Sequence, residues 1–184
     1  MSEQAETANE GWHRLYDERA LFSREDLLKT LRGFLEYAGY QLTEARPIGF
    51  MKPDLAACRV AGDRRYEMIF VVRREINQAV EGLRELAAAK CFRRDSLDYV
   101  LVLPPVSEHY MIEFLIEKEE WFFPIKDHLF QLWLVNPQRQ KVDCLLGWPR
   151  DDELRHYFSN PNLAGFATYI ANKAAQKIMA EEFE

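Results

Sequence analysis

The chain has 184 residues, a net charge of −6 and 48% apolar residues, including twelve Phe, eight Tyr and four Trp. This length and aromatic content fit one folded domain and exclude global disorder. The acidic balance excludes nucleic-acid binding by bulk charge alone, so such binding would need a local basic patch.

The amino terminus is polar and acidic, which is not typical of a signal peptide. The longest apolar run is far shorter than the roughly 20 residues that a membrane helix requires. Cys58, Cys91 and Cys144 are too widely spaced for a disulfide framework or a zinc site, and they suit a reducing compartment. We therefore expect a cytoplasmic protein that has no membrane partner.

Residues 1–22 are expected to form a partly mobile segment that precedes a single α/β domain at residues 23–184. The domain begins with a helix predicted from Ser23 to Ala38. Ser23 and Asp26 form a capping-box pattern, and Gly39 is a typical C-terminal stop. Apolar residues repeat between them at helical spacing, at Leu27, Leu28, Leu31, Phe34, Leu35 and Ala38. Tyr40 to Ile48 then predicts a strand interrupted by Pro47.

The segment from Lys52 to Pro104 predicts the centre of the fold, in the order strand, strand, helix, strand. These elements are expected at Leu55 to Val60, Tyr66 to Arg74, Ile76 to Phe92 and Tyr99 to Leu103. Ala61-Gly62-Asp63 is a typical hairpin turn. Met68 to Val72 is apolar on both faces, which is typical of a strand inside a sheet covered on both sides. A helix between two strands implies a right-handed crossover and parallel pairing.

Residues 107–184 are expected to extend this core with further strands and helices. The predicted elements are a helix from Ser107 to Glu120, strands from His128 to Val135 and from Lys141 to Leu146, a short helix from Asp151 to Phe158, and a final helix that begins near Pro161. No internal repeat or linker indicates a second domain.

The order helix, strand hairpin, helix, strand resembles the core of the restriction-endonuclease-like nucleases, the PD-(D/E)xK superfamily. Their signature places Pro-Asp at the start of the second strand and (Asp/Glu)-x-Lys near the end of the third. Pro53-Asp54 stands at the first place, and Val71-Val72-Arg73 occupies the second, nineteen positions on. The resemblance covers about residues 24–106 and implies a mixed central sheet flanked by helices.

The resemblance implies catalytic positions at Asp54 and Arg73, but the motif is degenerate. The family holds Mg²⁺ with two or more carboxylates, and Val71 supplies no oxygen at the second position. Arg73 replaces the lysine; it can contact a phosphate but stays protonated and therefore cannot act as a base. An active enzyme would need another metal ligand beside Asp54, and Glu36 or Glu25 of the first helix is the candidate.

Basic residues are concentrated between Arg59 and Arg94, where nine basic residues and five acids give a net charge of +4. Arginines beside a nuclease-like cleft could bind phosphates through bidentate contacts. The alternative is that these side chains form ordinary ion pairs on a helix surface. The candidate binding residues are Arg59, Arg64, Arg65, Arg74, Arg93 and Arg94.

Three functions therefore stay open on the sequence alone. The first is a nuclease-like domain without activity or cofactor, which binds or scaffolds nucleic acid or a partner protein. The second is an active Mg²⁺-dependent DNA nuclease with a displaced carboxylate. The third is an oligomeric protein-interaction module without nucleic acid. The first is favoured because the chain contains no complete catalytic motif and none of the GxGxxG, GxxxxGK[ST] or GxSxG loops.

Overall fold

The computed structural model describes residues 22–92, 97–106, 130–159 and 176–181. In these ranges the chain forms an open, mixed, six-stranded sheet with helices, which confirms the predicted α/β class. The helices are α1 (Arg24–Tyr37) and α2 (Ala79–Phe92), and the strands are β1 (Gln41–Thr43), β2 (Leu55–Ala61), β3 (Arg64–Val72), β4 (Leu97–Leu103), β5 (Phe130–Asn136) and β6 (Lys141–Leu146).

The strands lie in the sheet in the same order as in the chain. β1, β2 and β3 pair antiparallel, β3, β4 and β5 pair parallel, and β6 returns antiparallel to β5. Helix α2 connects the parallel strands β3 and β4, as the sequence pattern predicts, because parallel neighbours need a crossover. The C-terminal ends of β3 and β4 therefore lie at the same end of the sheet, beside the start of β2. We call this end of the strands the carboxyl edge and the opposite end the amino edge.

The core has two layers, one on each face of the sheet. Met68, Phe70 and Val72 of β3 pack on the same face as α1, whereas Ile69 and Val71 pack on the face of α2. All five side chains are buried, and Phe70 and Val71 are 0% exposed. The predicted position of this run inside the sheet is therefore confirmed, and alternate residues of one strand serve both layers.

Helix α1 begins where the capping pattern predicts. The Ser23 hydroxyl accepts from the Asp26 backbone N–H at 3.1 Å, and the Asp26 carboxylate accepts from the Ser23 backbone N–H at 3.1 Å. The Ser23 hydroxyl also donates to the Asp26 carboxylate at 2.8 Å, and this hydrogen bond, together with that from the Ser23 backbone N–H, lowers the pKa of Asp26. Gly39 follows the helix at φ 82°, a left-handed conformation that favours glycine.

Several predicted elements have different bounds or another type in the structure. β3 runs from Arg64 to Val72 and not from Tyr66 to Arg74, so Arg73 and Arg74 follow the strand. β1 ends at Thr43 instead of Ile48, and residues 44–54 form a loop. β4 begins at Leu97 instead of Tyr99, so Asp98 is a strand residue, and it is only 2% exposed. The short helix predicted from Asp151 to Phe158 is a 3₁₀ turn at Leu154–Tyr157.

Several predictions lie outside the described residues. These are the segment before Phe22, the helix from Ser107 to Glu120, the side chains of Arg93 and Arg94, and most of the final helix. The described part of that helix, 176–181, is helical. Within the described ranges, no helix combines the length and the apolar character needed to cross a membrane.

Candidate functional site

Asp54 precedes β2 at the carboxyl edge of β3. Its backbone N–H donates to the Phe70 carbonyl at 2.8 Å, and its Oδ2 accepts from the Val72 backbone N–H at 2.6 Å. The carboxylate thus continues the β2–β3 hydrogen-bond ladder by one step and satisfies an amide at the strand end. This backbone contact holds the Asp54 side chain in a defined position.

Two arginines also contact the Asp54 carboxylate, from opposite sides of the sheet. Arg24, the first residue of α1, donates through Nη2 to Oδ1, and Arg73 donates through Nη1 to Oδ2 at 3.3 Å. The Asp54 side chain retains 16% of its accessible surface. Both carboxylate oxygens are therefore engaged by donors of this chain.

Arg73 is itself held at four points. Its backbone N–H donates to the Val102 carbonyl at 2.9 Å, and its Nη1 donates to the Val72 carbonyl at 2.9 Å. Its Nη2 donates to Glu85 Oε1 of α2 at 2.5 Å. The sequence pattern does not distinguish Glu85 from an ordinary acidic residue on a helix surface. Its partner Arg73 is twelve residues away on another element, so no local pattern indicates the pair.

We call Arg24, Asp54, Arg73 and Glu85 the Asp54 site. Its charges alternate along the chain of contacts, and two guanidinium groups balance two carboxylates. Because α1 and α2 cover opposite faces of the sheet, the site joins both helical layers across the sheet edge. This arrangement can fix the relative positions of α1, the sheet and α2.

The arrangement does not fit a Mg²⁺ ion. Mg²⁺ requires oxygen ligands in a nearly octahedral arrangement, whereas both Asp54 oxygens face guanidinium groups that repel a cation. Among the described residues, no three His, Cys, Asp or Glu side chains come close enough to hold a metal ion.

The two predicted replacement ligands differ in their position on α1. Glu36 is twelve residues beyond Arg24, about 18 Å along the helix axis, and therefore lies near the opposite end of the helix from the Asp54 contact. Glu25 lies at the Asp54 end, where its Oε1 is 3.7 Å from Arg24 Nη1. A metal-ligand role for Glu36 thus has no geometric support.

The described residues among those predicted to bind phosphate are spread over both ends of β3. Arg64 and Arg65 lie at the amino end of β3, and Arg73 and Arg74 follow its carboxyl end. Nine residues of extended strand separate the two groups by about 30 Å. Arg65 pairs with Glu67 at 2.8 Å, and Arg74 donates to the Phe22 carbonyl at 3.2 Å.

Arg59 has a structural role that differs from the predicted ligand-binding role. Its guanidinium donates to both oxygens of Asp151, at 2.7 and 2.6 Å, and to Glu153 at 2.5 Å. The Tyr40 hydroxyl also donates to Asp151, at 2.7 Å. Burial opposes the ionisation of Asp151, but the hydrogen bonds from Arg59 and Tyr40 outweigh it and lower the pKa of Asp151. The Arg59 guanidinium is therefore committed to carboxylates of its own chain.

A second ion pair lies beside the Arg59–Asp151 pair. Here the strand supplies the acid, Asp98, and the segment after β6 supplies the base, Arg150. Arg150 Nε lies 3.5 Å from Asp98 Oδ1, and Arg150 Nη2 donates to the Leu97 carbonyl at 2.9 Å. Burial raises the pKa of Asp98 to about 6, against the lowering effect of Arg150. We call Arg59, Asp98, Arg150 and Asp151 the buried clasp. It fastens the segment after β6 to the amino end of β4 and to β2.

No protein-family model matches the chain, and a search of curated proteins also gave no match. The likeness to restriction-endonuclease-like nucleases therefore rests on the Pro53-Asp54 motif and on the order of the elements.

Proposed function

We propose that this protein is a nuclease-like domain without catalytic activity, which acts by binding or scaffolding a partner. Two observations support the family part of the proposal. The order α1, β1, β2, β3, α2, β4 is the order expected of a restriction-endonuclease-like core. The residues at the two motif positions, Asp54 and Arg73, are also in direct contact.

The proposed lack of catalytic activity rests on one observation: Arg24 and Arg73 both contact the Asp54 carboxylate. A nuclease of this kind needs carboxylate oxygens that face a divalent cation, which activates water and neutralises phosphate. In this chain a fixed positive charge stands at each of the two Asp54 oxygens. Arg73 also cannot remove a proton from water, because a guanidinium stays protonated.

The charge distribution favours a protein partner over nucleic acid. The Asp54 site is balanced in charge, and the arginines at the two ends of β3 are about 30 Å apart. Phosphate backbones are bound by clusters of cations that lie close together along a groove. Arg59 and Arg65 already contact carboxylates of their own chain, Asp151 and Glu67.

The test is a cleavage assay on plasmid and single-stranded DNA, with Mg²⁺ and with Mn²⁺, which compares the wild type with Asp54→Ala. We expect no metal-dependent nicking that separates the two proteins. Nicking by the wild type that Asp54→Ala abolishes would overturn the proposal and support the active-nuclease alternative.

In that event the missing ligand can be identified with matched glutamate variants. The candidates are Glu25, which contacts Arg24, and Glu85, the member of the Asp54 site that contacts Arg73. Glu81→Ala, an exposed residue of the same helix as Glu85, serves as the control. Loss of nicking in Glu25→Ala or Glu85→Ala, but not in Glu81→Ala, would assign the second carboxylate.

A further inference from the structure

The turn that joins β5 to β6 presents two exposed cations, Arg139 and Lys141, from a fixed backbone. Gln140, between them, lies at φ 50°, a left-handed conformation that is uncommon for a residue other than glycine. Hydrogen bonds within the turn hold this shape. The Arg139 backbone N–H donates to Asn136 Oδ1 at 3.1 Å, and the Gln140 side-chain amide donates to the Pro137 carbonyl at 2.6 Å. The two basic side chains therefore start from defined positions.

A pocket of about 330 Å³ lies beside this turn. Because β5 pairs parallel with β4, the turn and its pocket lie at the carboxyl edge of the sheet. Val106 and Leu134 supply apolar surface; both are partly buried and pack against the α2 layer of the core. The polar lining residues are Asn136, Arg139, Lys141, Asp143 and Ser159. We call this the hairpin pocket, and its volume is near the lower end of the range of about 300 to 1,000 Å³ for ligand sites.

The cations of the hairpin pocket differ from the basic residues at the amino edge. Arg59 and Arg65 are paired with carboxylates of their own chain. Among the described residues, no carboxylate pairs with Arg139 or Lys141. Two cations and one carboxylate, Asp143, leave the pocket with a net positive charge. A carboxylate from another molecule can therefore pair with these cations without displacing an existing partner.

The lining of the hairpin pocket favours an acidic peptide over nucleic acid. Single-stranded nucleic acid is bound by aromatic side chains that stack on its bases, and none of the described residues that line the pocket is aromatic. A duplex is bound by many cations along a groove, whereas this pocket offers two and also carries the Asp143 carboxylate, which repels phosphate. An acidic peptide needs only a few carboxylates and an apolar side chain, for which Val106 and Leu134 provide a surface.

We propose that the hairpin pocket binds an acidic segment of a partner protein. Carboxylates of that segment contact Arg139 and Lys141, and an apolar side chain beside them packs on Val106 and Leu134. The inference rests on the proposed binding role and names the chemistry of the partner. The two proposals fail separately: a chain that binds no acidic peptide would leave the absence of cleavage untouched, and metal-dependent cleavage by a chain that binds such peptides would overturn the absence of catalysis alone.

The experiment is fluorescence anisotropy of labelled decapeptides in which Glu alternates with Leu, Val or Pro, titrated with the full chain. The wild type is compared with the double variant Arg139→Glu, Lys141→Glu, which should raise the dissociation constant at least about ten-fold because it reverses both contacting charges. The matched control is Lys29→Glu, Arg32→Glu, which makes the same change in net charge on the exposed surface of α1. It should change the dissociation constant by less than about two-fold, since salt screens distant charges.

A wild type that binds none of the acidic decapeptides would overturn the proposal, as would equal weakening by the two double variants or equal binding of decapeptides with Gln in place of Glu. The variant Arg139→Gln, Lys141→Gln removes the charges without adding acids, so it repeats the test if the Glu variant does not fold.

Two further readouts identify a different occupant, and either would overturn the proposal. If a labelled single-stranded oligonucleotide of ten nucleotides binds more tightly than every acidic decapeptide and loses affinity in Arg139→Glu, Lys141→Glu, the pocket belongs to nucleic acid. If the wild type binds no decapeptide and this variant lowers the melting temperature far more than the α1 control, undescribed residues of the same chain cover the pocket.

Discussion

The Asp54 site and the buried clasp are both built from two arginines and two carboxylates, but they lie at opposite ends of the sheet. The Asp54 site is at the carboxyl edge, where the Arg24 side chain is 44% exposed and water can reach its guanidinium. The clasp is at the amino edge, where the side chains of Asp98 and Asp151 are 3% and 2% exposed. The same residue types therefore work in different dielectric surroundings.

This difference decides which cluster stabilises the fold more strongly. Removing one partner of an ion pair near water lowers the free energy of unfolding only slightly, because water can solvate the remaining charge. Removing one partner of a buried pair leaves an uncompensated charge in the interior. We therefore expect the clasp to contribute more to stability, whereas the Asp54 site holds the two helices in position against the sheet.

The largest expected effect is that of Asp151→Ala. The substitution leaves the Arg59 guanidinium and the Tyr40 hydroxyl without their shared acceptor, so the free energy of unfolding should fall by about 3 to 5 kcal/mol. Urea denaturation measures it. Asp152→Ala is the adjacent control, because Asp152 is 82% exposed and pairs only with Arg155 in the described contacts, and it should cost less than about 1 kcal/mol. Equal losses in the two variants would contradict the account of the clasp.

A pH series separates the two carboxylates of the clasp. The pKa of Asp98 is raised from 3.8 to about 6 in the folded protein, so the native state binds a proton more tightly than the unfolded state. The Asp98 contribution should therefore make stability fall as pH rises from about 4 to 6, by up to about 3 kcal/mol. Asp98→Asn should remove this slope. An unchanged slope between pH 4 and 6 in Asp98→Asn would show that other groups produce it.

Asp151 should act in the opposite direction. Its pKa is lowered by Arg59 and Tyr40, so its stabilising effect is present above its unfolded pKa and is lost as pH falls through the folded value. The acid limb of the stability profile, below about pH 4, should therefore become flatter in Asp151→Asn. Chemical denaturation at fixed pH values measures both limbs on the same variants.

The smallest of these effects is expected at the carboxyl edge. Asp54→Ala leaves the Val72 N–H without its acceptor, but Arg24 is 44% exposed to water and Arg73 keeps its contact with Glu85, so we expect a loss of about 1 to 2 kcal/mol. Asp54→Asn keeps an oxygen for that N–H and should cost less. A loss from Asp54→Ala as large as that from Asp151→Ala would remove the distinction between the two regions.

The elements of the fold were largely predictable because their signals are local. The capping box at Ser23 and Asp26 marks the start of α1, and β6 has the predicted bounds. The run from Met68 to Val72 identifies the central strand by its apolar residues alone. Such patterns depend on neighbours within a few positions, which a single sequence displays directly.

The clasp could not be predicted because its pairs are remote in sequence. Arg59 and Asp151 are 92 residues apart, and Asp98 and Arg150 are 52 apart. A charged residue such as Asp98 favours a loop in the sequence, and only its distant partner explains its place in a buried strand. The distance between Arg64 and Arg73, in contrast, follows from the rise per residue of the strand between them, so strand geometry could have predicted it.

Whether arginines or a metal ion occupy Asp54 is tested most directly by a crystal structure of the full chain grown with Mn²⁺, which anomalous scattering locates. We expect no Mn²⁺ at Asp54, with Arg24 and Arg73 on its two oxygens and Glu85 on Arg73. A Mn²⁺ ion bound by Asp54 together with Glu25 or Glu85, with Arg73 displaced, would contradict this expectation.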